Sequence, residues 1–144
     1  MNLHENTEIF KIFIENAAIH FNIRNRSIVE KDFYVTQFLK KLTEIQPDLI
    51  FKGGTSLSKA HKVIKRFSED IDISLRTQAD KPTNAQKRAL NENIKSITKD
   101  LGLKLSNPVN DPERRDFIRY FIEYTADLGL GFAILRVCGP FSGY

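Results

Sequence analysis

Two aspartates separated by a single residue, Asp70 and Asp72, are the residues of this sequence whose type and spacing most directly predict a chemical role. They lie in FSEDIDISL (residues 67–75), where polar and apolar residues alternate. An alternation of period two predicts a β-strand that carries Ser68 and both aspartates on one face. The Cα atoms of the two aspartates would stand roughly 6 to 7 Å apart, so both carboxylates could reach one divalent ion or two neighbouring ions. We expect Mg²⁺, with a two-ion site allowed, because Mg²⁺ binds carboxylate oxygens together with substrate phosphates.

A diglycine, Gly53 and Gly54, precedes the aspartates and separates a short apolar run from a predicted helix. Main chain without Cβ can approach a ligand closely, and the N–H groups of a helix's first turn bind phosphate oxygens. Thr55 and Ser56 add hydroxyl groups there, and Lys59 stands one turn into the helix. The segment is not a P-loop, because Lys59 lacks the preceding glycine of GxxxxGK[ST]. The diglycine and the first turn of the predicted helix therefore predict a phosphate-binding segment of a kind other than the P-loop.

These two features would form one site if their strands were neighbours in a sheet. A nucleoside triphosphate (NTP) would then span the diglycine and the metal, which is the arrangement needed for nucleotidyl transfer. Each feature alone has an ordinary explanation, since an isolated aspartate pair commonly lies on a solvated strand edge. The basic residues of the predicted helix fit a solvated face as well as a polyanion track, and His61 fits a packed position; these basic residues are Lys59, Lys62, Lys65 and Arg66.

The flanking sequence predicts three further helices and three further strands. Residues 6–21 predict a first helix, and SIVE (residues 27–30) has the form of a capping box that would begin a second helix ending at Leu42. A third helix is predicted to end at Gly102. The run 49–51 predicts a strand, and residues 117–124 and 131–137 predict two more, paired through a turn at 127–129. The predicted buried positions are Ile9, Phe10, Ile12, Phe13, Ala17 and His20 in the first helix, Val35, Phe38, Leu39 and Leu42 in the second, and Leu90, Ile94, Ile97 and Leu101 in the third.

Two stretches, KGGTSLSKAH…RFSEDIDISL (residues 52–75) and IVEKDFYVTQFLKKL (residues 28–42), resemble the AbiEii/AbiGii-type nucleotidyltransferase toxins of the polymerase-β-like superfamily. The resemblance implies an α+β fold, in which N-terminal helices pack against a small mixed sheet. It also implies NTP and RNA (such as tRNA) as substrates, and the role of a toxin in a bacterial toxin–antitoxin or phage-abortive system, with an antitoxin as partner or as operon-level regulator.

The same resemblance implies roles for individual residues. Asp70 and Asp72 would be the catalytic metal ligands. The phosphates of the nucleotide would be held by the diglycine and Ser56, and the further nucleotide-binding candidates are Thr55, Lys59 and Ser68.

The sequence also departs from this family. Members usually carry a third carboxylate on a later strand and a C-terminal helical portion, whereas GFAILRVCG (residues 131–139) contains no acid. Glu123 is the nearest substitute, although it also fits a surface strand position. We therefore expect one domain over residues 1–144, with N-terminal helices in 1–46, a catalytic core in 47–144, and the family's C-terminal portion absent. The alternatives are a catalytically inactive module that binds nucleotide or antitoxin, and a plain RNA-binding domain.

The composition is that of an ordinary folded protein of 144 residues with a formal net charge of +4. That charge is compatible with a polyanionic partner. The single Cys138 cannot form an internal disulfide, and the histidines His4, His20 and His61 show no metal-binding spacing with it. No signal peptide or membrane span is predicted. A reducing cytoplasm is therefore the expected location.

Overall fold

The computed structural model describes residues 3–52, 71–77, 82–106, 109–110, 117–126 and 129–138. A short 3₁₀ helix (Leu3–Glu5) precedes three α-helices within these ranges: α1 (Thr7–His20), α2 (Arg26–Ile45) and α3 (Asn84–Asp100). The strands are β1 (Leu49–Phe51), β2 (Ile71–Leu75), β3 (Lys104–Leu105), β4 (Val109–Asn110), β5 (Phe117–Ala126) and β6 (Gly129–Cys138).

The strands described form one mixed sheet in the order β1-β2-β6-β5-β3, and β4 also pairs with β5. β2 pairs antiparallel with β1 and parallel with β6, whereas β5 and β6 form a long antiparallel hairpin. The predicted α+β class with a mixed sheet is confirmed, and so is the pairing of the two C-terminal strands. Of the predicted turn, residues 127–128 lie outside the described ranges.

The main core lies between this sheet and the helices α2 and α3. Alternate residues of β2, Ile71, Ile73 and Leu75, are buried in it. All eight positions predicted to be buried in α2 and α3 belong to the same cluster. Because residues of a strand alternate between faces, the β2 residues Asp72 and Ser74, which lie between Ile71, Ile73 and Leu75, point to the other face of the sheet.

A second, aromatic cluster joins α1 to α2 and to β5. Tyr34 and Tyr124 stack with ring centroids 4.5 Å apart, and Phe10 packs edge-on to Tyr34. His4 lies among these rings and its Nε2 is 2.7 Å from the carbonyl oxygen of Leu101, which follows α3. The N-terminal segment is thereby attached to the body of the fold.

The predicted capping box at Ser27 and Glu30 is wrong. The N-cap of α2 is Asn25, whose side-chain oxygen accepts a hydrogen bond from the N–H of Ser27 at 3.0 Å. Glu30 lies a full turn inside the helix and is buried. A capping box is present instead at α3, where Thr83 and Gln86 each accept the other's main-chain N–H.

The predicted buried face of α1 is also wrong in part. Phe10 is buried, together with Ile14 and Ala18, but Ile9 and Ile12 are exposed and Phe13 is 43% exposed. The helix is apolar on two adjacent faces, so spacing alone could not show which one packs on α2. His20, at the last position of α1, is likewise exposed.

No helix among the described residues is both long and apolar enough to cross a bilayer.

Candidate active site

The strand that precedes the diglycine lies directly beside the strand that carries Asp72. Phe51 of β1 is opposite Ile73 of β2. The main-chain N–H of Lys52 then donates a hydrogen bond of 2.9 Å to the carbonyl oxygen of Asp72. Gly53 is the next residue, so the diglycine segment begins one residue beyond this bond. The adjacency that the sequence interpretation required is therefore present in the fold.

Asp72 lies on the face of the sheet that α2 and α3 do not cover. Its neighbours along the strand, Ile71 and Ile73, are buried in the core, whereas the Asp72 side chain is 26% exposed. Ser74, two residues further along, shares this face and is fully buried. The structure thus presents the aspartate from a strand fixed by pairing on both sides.

Arg136 of β6 lies close to the Asp72 carboxylate. The two residues are opposite each other in the parallel pairing of β2 and β6, with Arg136 Nη1 3.7 Å from Asp72 Oδ1. This separation is longer than a direct hydrogen bond. The guanidinium balances the carboxylate's charge, and the Arg136 side chain remains 38% exposed.

A second arginine continues the same row. Arg119 of β5 stands directly opposite Arg136 in the antiparallel pairing of β5 and β6. Asp72, Arg136 and Arg119 therefore occupy one line across three adjacent strands, on the face away from the helices. The sequence interpretation did not include either arginine, although each is the single cation of an otherwise apolar segment, IRYFI or FAILRV.

Among the described residues, Asp72 is the only carboxylate in this row. β6, the parallel neighbour of β2, contains no acidic residue. Glu123 is exposed on β5 and stands opposite Lys104 of β3. It lies four residues along β5 from Arg119 and two strands from Asp72, a separation of roughly 16 Å by strand geometry. Glu123 is therefore a surface strand residue and does not take the place of the family's third carboxylate.

The other predicted site residues lie outside the described ranges: Gly53, Gly54, Thr55, Ser56, Lys59, Ser68 and Asp70. In the part of the chain that is described, no three His, Cys, Asp or Glu side chains form a group that could hold a metal ion. Asp72 nonetheless fits a Mg²⁺ ligand, because it offers hard carboxylate oxygens at a partly exposed position.

Comparison with protein families identifies the chain. Residues 37–135 match the family described as nucleotidyl transferase AbiEii toxin, type IV toxin–antitoxin system. The chain belongs to this AbiEii family. The matched segment contains the diglycine, both aspartates and the strands β1 and β2. Arg136 follows immediately after the matched segment.

Solved structures show the same fold as this AbiEii-family chain. One is a crystal structure from H. pylori assigned as a nucleotidyltransferase, with a TM-score of 0.55 and 19% sequence identity; it is matched over 83% of this chain and 48% of its own. Another is JHP933 from Helicobacter pylori, with a TM-score of 0.53, 16% identity, and coverage of 83% and 47%. This chain spans about half the length of these structures. No curated protein matches the sequence.

Proposed function

We propose that this AbiEii-family protein is a Mg²⁺-dependent nucleotidyltransferase that transfers a nucleotide from an NTP to a hydroxyl group of an RNA acceptor such as tRNA. It would act as the toxin of a toxin–antitoxin pair. The observation that carries the proposal is the hydrogen bond between Lys52 and Asp72, because it joins the start of the diglycine segment to the strand of the aspartate pair. Family membership supports the reaction class.

Different segments along the sheet would bind the phosphates and the metal ion. Main-chain N–H groups at Gly53 and Gly54, with the hydroxyl of Ser56, would bind the β- and γ-phosphates. Asp70 and Asp72 would hold Mg²⁺, which supplies electrostatic stabilisation of the charge that develops at the phosphorus. The acceptor oxygen forms a bond to the α-phosphorus, the bond from that phosphorus to the bridging oxygen breaks, pyrophosphate leaves, and the hydroxyl proton passes to water. The main-chain bond at Lys52 would keep the two halves of the site in register.

The transfer reaction is tested by incubating the purified protein with each α-labelled NTP, Mg²⁺ and total tRNA. We expect labelled RNA with the wild type, and a loss of at least a hundredfold in Asp70→Ala and Asp72→Asn, since removing a charged group that acts in the transition state typically has effects of this order. Asp100→Asn, at an exposed position at the end of α3, is the matched control and should retain full labelling.

The competing candidate is an inactive module that binds nucleotide or antitoxin. It is favoured by the absence of an acid from β6 and by the Arg136 guanidinium beside Asp72. Calorimetry with each NTP distinguishes the two. NTP binding without labelled RNA would favour the inactive module, whereas labelling that survives Asp72→Asn would remove Asp72 from the mechanism.

A further inference from the structure

We propose that Arg136 and Arg119 form the acceptor site of this enzyme, where they bind backbone phosphates of the incoming RNA. This inference rests on the proposed function and adds a binding site to it. The site consists of two arginines on neighbouring strands, in line with Asp72 and on the face of the sheet away from α2 and α3.

The order of the strands separates the two substrates. The diglycine segment begins at the end of β1, on one side of Asp72, whereas Arg136 and Arg119 lie on β6 and β5, on the other side. In phosphoryl and nucleotidyl transfer the attacking and leaving oxygens are roughly in line. If pyrophosphate leaves toward the diglycine, the acceptor hydroxyl must arrive from the side of β6 and β5. The arginines stand on that side.

The charges of the row favour an anionic ligand. Arg119 and Arg136 are directly opposite each other across β5 and β6, and like charges in this position destabilise a sheet. The row therefore presents two guanidinium groups side by side, one of them next to Asp72. A phosphodiester group bound between them would accept hydrogen bonds from both. Arginine suits this role because its planar group donates two parallel hydrogen bonds to a phosphate.

The exposure of the two arginines and their distance from Asp72 also fit an acceptor site. The Arg136 side chain is 38% exposed and Arg119 is partly exposed, so both reach solvent. Adjacent strands are spaced at about 4.8 Å, which places Arg119 roughly 10 Å from Asp72 across the sheet. A backbone phosphate held there would lie within a nucleotide or two of a hydroxyl positioned at Asp72.

The test uses the whole chain and measures binding without turnover. The affinity of fluorescein-labelled tRNA is measured by anisotropy at several salt concentrations, and NTP affinity by calorimetry. We expect Arg119→Gln to weaken tRNA binding roughly tenfold, and to reduce the slope of log K against log salt by about one unit, with no change in NTP affinity. Arg88→Gln removes the same charge from an exposed position on α3, on the helical side of the sheet, and should change neither affinity.

A second variant of Arg119 keeps the test decisive. Arg119→Lys retains the charge without the forked donor, so it should restore the salt slope but only part of the affinity, and it replaces Arg119→Gln if that variant does not fold. Unchanged tRNA affinity and slope in the Arg119 variants would overturn the acceptor site, as would a parallel loss of NTP affinity. Loss of labelling in Asp72→Asn together with unchanged tRNA binding in Arg119→Gln would leave the proposed function standing and reject the acceptor site alone.

Discussion

Gly131 and Tyr124 are cross-strand partners in which the smallest residue lies under one of the largest. They are opposite each other in the pairing of β5 and β6, and the Tyr124 ring covers the glycine. A Cβ at position 131 would collide with the Tyr124 ring. The ring cannot move aside easily, because it is buried and stacked on Tyr34. Position 131 therefore tolerates no side chain while Tyr124 keeps its place.

We predict that Gly131→Ala lowers the free energy of unfolding by about 1 to 3 kcal/mol through overpacking. Urea denaturation monitored by circular dichroism measures this change. In a Tyr124→Leu background the same substitution should be less damaging, because the ring that collides with the new Cβ is gone. Equal effects in both backgrounds would show that the collision with Tyr124 is not the cause.

At the site, only part of the arrangement could be predicted from single residues. The period-two alternation correctly predicted that Asp72 lies on one face of its strand and the buried Ile71 and Ile73 on the other, because a strand has only two faces. Arg136 and Arg119 could not be placed beside it from sequence. Their positions depend on the register between strands that are distant in the chain, and local spacing does not determine this register.

Among the helices, α2 shows how a local cap determines where an element begins. The Asn25 side-chain oxygen accepts hydrogen bonds from the main-chain N–H of Ser27 at 3.0 Å and from its hydroxyl at 2.6 Å. Ser27 therefore donates in the first turn and does not cap it. The helix begins at Arg26, whose guanidinium forms an ion pair with Glu15 of α1.

We predict that Asn25→Ala destabilises the protein by about 1 kcal/mol, the usual cost of losing an N-cap side chain. Ser27→Ala is the matched control and should cost less than about 0.5 kcal/mol, since it removes one exposed hydroxyl. Thermal unfolding of the two variants in parallel makes the comparison. A larger effect for Ser27 than for Asn25 would support the capping box suggested by the sequence over the cap seen in the structure.

The presence of a helix and the face that it buries could be predicted from the sequence where the helix has a single apolar stripe. In α2 and α3 a single stripe recurs every three or four residues, and all its predicted members are buried. In α1 the stripe of Phe10, Ile14 and Ala18 adjoins a second apolar stripe, and the choice between them is made by packing on α2. The cap of α2 was misassigned for a related reason, because Asn25 and Ser27 both suit an N-cap position.

For the whole molecule, α2 connects the two hydrophobic clusters. It contributes Val35, Phe38, Leu39 and Leu42 to the cluster under the sheet, and Val29 and Tyr34 to the aromatic cluster. Tyr124 extends the aromatic cluster to β5. Burial, together with the negative charge of Glu30, raises the pKa of Tyr124 from 10.0 to about 12. Burial also raises the pKa of Tyr120 in the other cluster.

We predict that the protein loses stability as the pH rises from about 10 to 12. The unfolded chain releases the phenolic proton of Tyr124 near pH 10, whereas the folded protein retains it to about pH 12, so the folded state binds more protons in this interval. The free energy of unfolding should fall by roughly 2 to 3 kcal/mol. Urea denaturation at stepped pH measures the fall, and Tyr124→Phe should flatten it, leaving the share due to Tyr120. Identical slopes in the two proteins would contradict the assignment to Tyr124.

The central position of β6 has a consequence for how this protein folds. Its antiparallel partner β5 is adjacent in the chain, so the hairpin closes over a short loop. Its parallel partner β2 lies about 60 residues earlier in the chain, and closing so long a loop carries an entropic cost that slows contacts of high sequence separation. The hairpin should therefore nucleate before β2 docks. The line from Asp72 to Arg119 crosses both pairings, so it is completed only in the late, topologically slow step.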